Sequence, residues 1–468
     1  MQQTVCRCTL AGLTAIALTL SPAQAQTAWG TYLKPFAATS PWNSRPVNPV
    51  FSNFVLPPSA NPAYRPSIDD GPYSLGVFKG TASDPAVTVY GISGQSGVSD
   101  PDNGIYRSVT IPHWPSTVAP ASGSDGHADI VDETTGVVHS FWQLHKTNGV
   151  WTASSYGWSR ITGQGFGDPA HWYQGVRATG VPGMGGLIRL NEISDGKPYY
   201  EHALAMSLQS IALAGGSGTA AYIAPATIAD YSASTNTGKI PEGSLLMLPP
   251  SFDLNTITDP ALRKIAQTLK LYGAYVVDRN SDTAYTIYVE NGANFSLPYT
   301  TSVNNQLEAI RLALRKVEYA GSWLDGNGYT KPSPPAPNIL SYRGSWGTLQ
   351  GPAIGHYDMQ QQAVVFPYTD KPSIMVNYSN TGLTNVNWAK PAPGTVMRFT
   401  ATATGGASTR LQVRTGYNTV FDSGYLKSGS SATFTWPTSS STQPLVITLY
   451  AQSGIGTASA VHGWLTRN

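Results

Sequence analysis

Residues 331–338 (KPSPPAPN) carry four prolines in eight positions. Each proline fixes φ and removes a backbone donor, so neither a helix nor an interior strand runs through such a stretch. The segment favours a stiff, extended polyproline spacer. It divides the chain into a front domain over 26–330, a linker over 331–338 and a second domain over 339–468.

The two sides differ in chemistry. Residues 339–468 hold three carboxylates (Asp358, Asp370, Asp422) and eight Lys and Arg; residues 26–338 hold 23 Asp and Glu against 19 Lys and Arg. The tail is therefore net positive and the front part net negative. Acid–base work on polymers uses positioned carboxylates, His or Tyr, so chemistry is expected in front and an accessory role, with carbohydrate binding as one form of it, behind. No basic cluster runs through either part, which excludes nucleic acid as a partner.

Residues 1–25 read as a secretory signal. Arg7 supplies the positive region, 10–20 (LAGLTAIALTL) is apolar but too short to span a bilayer, and Ala23-Gln24-Ala25 is a small-x-small cleavage site. The expected location is secreted or periplasmic, with no membrane span. Cys6 and Cys8 leave with the signal, so the remainder has no disulfide, thiolate metal site or cysteine nucleophile. Charged residues are only 12% of the chain, while 12 Trp and 25 Tyr lie outside the signal. Low charge with many aromatics and turn formers fits a β-protein facing sugars, whose C–H faces stack on aromatic rings.

Strand patterning begins near residue 85. Residues 26–82 are proline-rich and read as a strap on the domain surface. Strands are expected over 86–90, 106–111, 127–132, 137–145, 187–190, 202–208, 221–223, 244–248, 274–278 and 285–289. Asp259-Pro260 opens a helix closed by Gly273, and Asn304 caps a second, with Leu307, Ile310, Leu314 and Val317 on one side and Gly321 at its end. The front domain is expected to be mainly β, sandwich or jelly-roll-like, with at least two packed helices. The tail has strand signals at 363–366, 373–378, 396–402, 409–414, 432–436 and 444–450, spaced by Gly/Ser/Thr turns, and reads as a β-sandwich.

Two polar clusters carry the candidate chemistry. In 125–145, alternation places His127 and Asp129 on one strand face, with Asp132 on the other or in the turn. The return strand offers His139, Gln143 and His145 on one face, and Ser140 and Trp142 on the other. A four-residue loop pairs Asp132 with Val137 and sets His127 and Asp129 beside Trp142 and Ser140; a one-residue slip sets them beside His139 and Gln143 instead. The second cluster is Glu192, Asp195, Tyr199, Tyr200, Glu201 and His202, just before an apolar strand. Both clusters are expected to meet in one cleft. Asp168, His171, Trp172 and Tyr173 follow a glycine-rich loop, and Trp172 and Tyr173 are candidates to line a sugar subsite. The segment 100–104 (DPDNG) lacks the remaining ligands of a calcium loop, and no metal is assigned, although His127, His139 and His145 can meet in space.

Several landmarks occur together: 40–43 (SPWN), 125–127 (DGH) leading to Asp132 and 141–143 (FWQ), 202–204 (HAL), 240–243 (IPEG) and 272–278 (YGAYVVD). Over residues 30–295 their order resembles a group of exported bacterial β-rich proteins with no established mechanism. The resemblance implies one continuous front domain and assigns no catalytic role.

The first expectation is a secreted polysaccharide-degrading enzyme, a monomer without an organic cofactor. In its hydrolase form two of Asp129, Asp132, Glu192 and Glu201 flank the glycosidic bond. In its lyase form Tyr200 or His202 removes the proton α to a uronate carboxylate, which Gln143 or Arg189 neutralises. Trp142, His139 and His145 join Trp172, Tyr173 and Arg189 as substrate contacts, and His127 joins the catalytic set. The alternative is a non-catalytic glycan-binding or envelope protein. No Gly-x-Ser-x-Gly or His-Glu-x-x-His motif supports an esterase or protease. Mass spectrometry of exported material should find an N-terminus at or within a few residues of Gln26; an intact Met1 would reject the signal assignment.

Overall fold

The computed structural model describes residues 28–468 except 103, 217, 296 and 378–382. The signal expected at 1–25 lies outside the described residues. Mainly β structure forms on both sides of the proline spacer, with two α-helices in the front part.

Alternation along the central strands explains the layering. In a seven-stranded mixed sheet, Leu204, Met206 and Leu208 of strand Leu204–Gln209 face one core, together with Leu246, Val276 and Ile287. Ala205, Leu245, Met247, Tyr275 and Val277 face another. Helices α1 (Pro260–Leu271) and α2 (Thr301–Ala313) cover the first face with Leu262, Ile265, Leu269, Leu307 and Ile310. A six-stranded sheet covers the second with Val77, Val131 and Val138. Its reverse face, Ile130, Val137 and Phe141, packs on a four-stranded sheet through Val89, Ile111 and Trp151. The inner strands are buried on both faces, which is why they read as apolar runs.

Asp259 caps α1 by accepting from the Leu262 N–H, 3.0 Å away, as its sequence predicts. The second helix departs from expectation. Thr300 is its cap, and it ends at Ala313. Residues Arg315–Tyr319 form a strand instead of a last helical turn, pairing with strands Leu245–Met247 and Val50–Phe51. The segments 187–190 and 221–223 contribute single bridges at Ile188 and Tyr222 and form no strand.

The proline-rich start is more than a surface strap. Phe36 and Trp42 are fully buried between the two large sheets. Trp42 stacks on Phe166 at 4.6 Å and donates its indole N–H to the Gly165 carbonyl, 2.8 Å away. Gly186, at φ 68°, presses against the same ring, where a Cβ would collide. Ser40 and Asn43 hold this turn by bonds to the carbonyls of Gln164, Pro35 and Ala37. The SPWN motif is thus a packing anchor.

Residues 331–338 are extended and mostly exposed, as their prolines require. The tail stacks two sheets over one core that includes Phe366, Phe399, Leu411, Leu449 and Leu465. The strand expected over 373–378 runs Ile374–Asn377, Tyr378 lying outside the described residues. Ser459–Arg467 adds a long strand that its spacing had not signalled.

The tail docks on the front part. Trp172 and Tyr222 pack against its core. The Trp388 indole donates to the Ala226 carbonyl at 2.8 Å. At the centre, Arg343 of the tail pairs with Asp102 of the front, both side chains within 2% of full burial. His171 Nδ1 stands 2.6 Å from the same carboxylate. Breaking a buried pair strands the remaining charge away from water. Arg343→Met should therefore lower stability by about 3–5 kcal/mol in urea unfolding at neutral pH; a loss under about 1 kcal/mol would show that the pair does not hold the seam.

Candidate functional site

The hairpin register is settled: Asp132 pairs with Val137 and Asp129 with Ser140. His127 and Asp129 therefore lie on one face, and His139 on the other. Asp129 is fully buried and accepts from the Met184 N–H at 2.7 Å. Burial pushes its carboxyl up to about 6. His127 is buried too, and burial, then the nearby Arg177, hold its imidazole well below the ordinary value. His139 faces the Tyr156 hydroxyl at 2.8 Å, and burial brings it down to about 4. Both histidines are neutral packing groups near neutral pH.

Asp132 is a turn cap. It accepts from the Thr134 and Thr135 N–H groups at 2.9 and 3.1 Å and from His113. Burial opposes its ionisation, but these bonds outweigh burial and the net shift is downward. The strand stops at Trp142 because Gln143 takes φ 53°, and His145 opens an exposed strand of a different sheet. The three histidines thus do not converge. Among the described residues no cluster of His, Cys, Asp and Glu is arranged to hold a metal; Asn103 of the 100–104 segment lies outside them. Trp142 is half-buried beside Asp125, 3.4 Å from indole to carboxylate.

The second cluster does form a cleft. It has a volume of about 170 Å³, and Lys34, Arg189, Glu192, Asp195, Glu201 and His202 are among its lining residues. None of residues 125–145 lines it. Asp129 reaches only its rear wall, through Met184, so the two expected clusters do not share one opening.

Every ionisable group in this cleft has a partner. His202 Nε2 is 3.1 Å from Glu192, and Nδ1 is 2.8 Å from the Ala203 carbonyl. Both ring nitrogens are therefore engaged. Glu201 pairs with Lys197 at 2.6 Å and Lys34 at 3.5 Å; burial raises its pKa, but the two lysines outweigh it and hold it low. Asp195 pairs with Lys264 at 2.5 Å. Arg189 donates from Nε to Glu290 at 2.7 Å and from Nη1 to the Tyr32 carbonyl at 3.0 Å. Tyr200 is buried beneath Lys264, 4.5 Å from ring to ammonium, and burial raises its phenol pKa. A general acid needs a carboxyl kept protonated near working pH. Glu192 and Glu201 are both held ionised instead.

Trp172 and Tyr173 were expected at a sugar subsite. Trp172 packs against the tail core, and Tyr173 sits edge-on to it at 5.7 Å. Trp172 is part of the seam.

A further polar surface lies on the tail. On strand Ser408–Thr415, alternation turns Leu411 and Val413 inward and Arg410, Gln412 and Arg414 outward. Register sets Arg410 opposite Tyr450 and Gln412 opposite Asp422. Arg410 grips Asp422 bidentately, with Nε to Oδ1 at 2.8 Å and Nη2 to Oδ2. Gln412 adds a bond to Asp422 at 3.3 Å and the Gly424 N–H another at 3.0 Å. The Arg410 bond, ahead of the opposing effect of burial, brings Asp422 down to about 2. The guanidinium lies 5.0 Å from the Tyr450 ring centre, and Tyr425 stands beside it, 36% exposed. The outward alternation was visible in the sequence. The pairing of 408–415 with 445–452 was not, because those strands are not consecutive.

No family model and no curated protein matches the chain. Among solved structures, accessory secretory protein 1,2 and 3 of Streptococcus pneumoniae aligns at 11% identity over 28% of this chain and 96% of that one, with a TM-score of 0.20. TmCBM61 in complex with beta-1,4-galactotriose aligns at 16% identity over 23% and 70%, with a TM-score of 0.16. A CBM4 structure aligns at 22% identity over 26% and 94%, also with a TM-score of 0.16. TM-scores this low support no inference of fold or activity.

The His202–Glu192 pair has a pH signature. Burial lowers the His202 pKa, but Glu192 and the Ala203 carbonyl outweigh it, so the net shift is upward. Burial raises the Glu192 pKa, but His202 and the Arg189 N–H outweigh it, so the net shift is downward. The histidine's contribution is full below its unfolded value of about 6.5 and is lost as pH rises through the folded value. The carboxylate's is present above about 4.3 and is lost as pH falls through its folded value. Relative to the parent, His202→Gln should therefore cost most stability near about pH 5.5 and less near about pH 8.5; a penalty independent of pH would contradict the pair.

Proposed function

We propose that this is an exported, secreted or periplasmic, glycan-binding protein, and that the sugar rests on the Arg410–Asp422 face of the tail. The observation that carries this reading is the bidentate Arg410–Asp422 pair fixed beside Tyr450 and next to Tyr425. The pair is pre-organised, so little side-chain entropy is lost on binding. Its atoms remain about one-third exposed, at 29% and 32% of the side chains. A pyranose presents C–H groups to an aromatic ring and hydroxyls to charged partners around its edge, and this face offers both kinds of contact.

The geometry favours binding over the hydrolytic and eliminative readings. Glu192 is paired with His202 and Glu201 with two lysines, both nitrogens of His202 are engaged, and Tyr200, Asp129 and Asp132 are buried. No expected acid–base pair is open to a substrate with its proton available.

Native electrophoresis through gels containing neutral or uronic polysaccharides tests the proposal. At least one polysaccharide should retard the protein without release of reducing ends or unsaturated product. Tyr450→Ala and Arg410→Ala should each weaken retention about tenfold or more, equivalent to about 1.4 kcal/mol. Unchanged retention in both variants would remove the tail face from the account. Product release would restore the catalytic reading.

A further inference from the structure

A second cleft, of about 220 Å³, lies where the tail meets the front domain. Arg107 of the front lines one side, and Trp346, His356 and Tyr357 of the tail line the other. It is smaller than the roughly 300–1,000 Å³ of a pocket for a drug-sized molecule, so it has room for one compact residue of a larger ligand.

Its walls are held rigidly. Trp346 donates its indole N–H to the Tyr342 carbonyl at 2.8 Å and stacks on the Tyr342 ring at 5.7 Å, with 25° between planes. The Tyr357 hydroxyl accepts from Arg343 Nε at 3.1 Å, which ties this wall to the buried seam pair. Gly355 allows the backbone to approach Phe366 and Met375, where a Cβ would collide. Arg107 donates from Nη2 to Asp100 at 3.0 Å and to the Met359 sulfur at 2.9 Å, and its side chain stays about one-third exposed, at 35%. A guanidinium has five N–H donors in a planar fork, so this one retains capacity for an acceptor. His356 is exposed at the opposite side.

We infer that the seam cleft is a binding site for a uronic acid residue of a polysaccharide, the pyranose ring against Trp346 and its carboxylate toward Arg107 and His356. The inference rests on the glycan-binding proposal and adds a substrate class. Asp100 occupies one side of the arginine fork, and its exposed side offers a uronate carboxylate a planar pair of donors that a neutral sugar has no anion to match. A ligand seated here touches both halves of the molecule, so its binding favours the docked arrangement.

Isothermal titration of the full chain tests this in the Tyr450→Ala/Arg410→Ala background, where the tail face is disabled. The probes are a trimer of glucuronic acid and a trimer of glucose. The glucuronic acid trimer should bind with a stoichiometry of one, at least tenfold more tightly than the glucose trimer, and more weakly as salt is raised. Arg107→Gln should abolish the preference, and Trp346→Ala should weaken both ligands. His356→Gln, at an exposed position, should reduce the preference severalfold, and it serves as the test if Arg107→Gln does not fold. If the face-disabled protein fails to bind the glucuronic acid trimer, or binds both trimers equally, the seam inference is overturned. The glycan-binding proposal stands or falls separately, on whether the parent protein is retarded by any polysaccharide.

Discussion

Asp102 is the residue on which the arrangement of the two halves depends. Its carboxylate is buried, and it faces Arg343 from the tail and His171 from the front part. A lone carboxylate in that position would be costly, and a lone guanidinium equally so. Neither half can expose this set without losing a partner, so the docked state satisfies both. The contacts around it follow: Trp172 against the tail core, the Trp388 indole on Ala226, and the Arg343–Tyr357 bond that carries the seam into the neighbouring cleft. The proline spacer keeps the connecting chain extended, while side-chain chemistry fixes where the tail rests.

Polar groups in the front part of the chain are largely absorbed by its layered packing. Asp129 and His127 lie between sheets, Asp132 caps a hairpin turn, and Arg189 is locked to Glu290. Perturbed ionisation is a common mark of function, yet structural ion pairs and burial produce it too. Here Asp129 is pushed up by burial and sits behind Met184 instead of lining the cleft, while Glu192 and Glu201, raised by burial, are brought down net by His202 and by the lysines. The raised carboxyl does not line the cleft, and the two glutamates that do are held ionised. The outward face of the tail is different, since its charged pair is rigid, accessible and flanked by aromatic rings.

Much of this was legible in the sequence where a single local rule governs. Alternation and short apolar runs located many of the strands, Asp259-Pro260 located α1, and a four-residue loop offered the hairpin register that forms, beside a one-residue slip that the sequence left open. Local rules gave out where tertiary contacts decide. The run Arg315–Tyr319 continues a helical pattern in sequence but is captured by strands on both sides. Trp42 sits among prolines and reads as surface, yet it fills a gap between sheets that only assembly creates. The expected joint cleft of the two polar clusters fails for a related reason. Sequence proximity brought His127 near His139 and His145, but a pleated strand and the φ 53° turn at Gln143 send them to different surfaces. Conversely, Arg410, Asp422 and Tyr450 are separated in the chain and meet only through non-sequential strand pairing.

The most direct measurement of the central claim is a map of amide shifts in the isotopically labelled protein as a polysaccharide fragment that it binds is titrated in. The account predicts that the largest, saturable changes cluster on residues 408–426 and 445–452, around Arg410, Asp422 and Tyr450. Changes centred instead on the Glu192–His202 cleft, with the tail sheet silent, would contradict it.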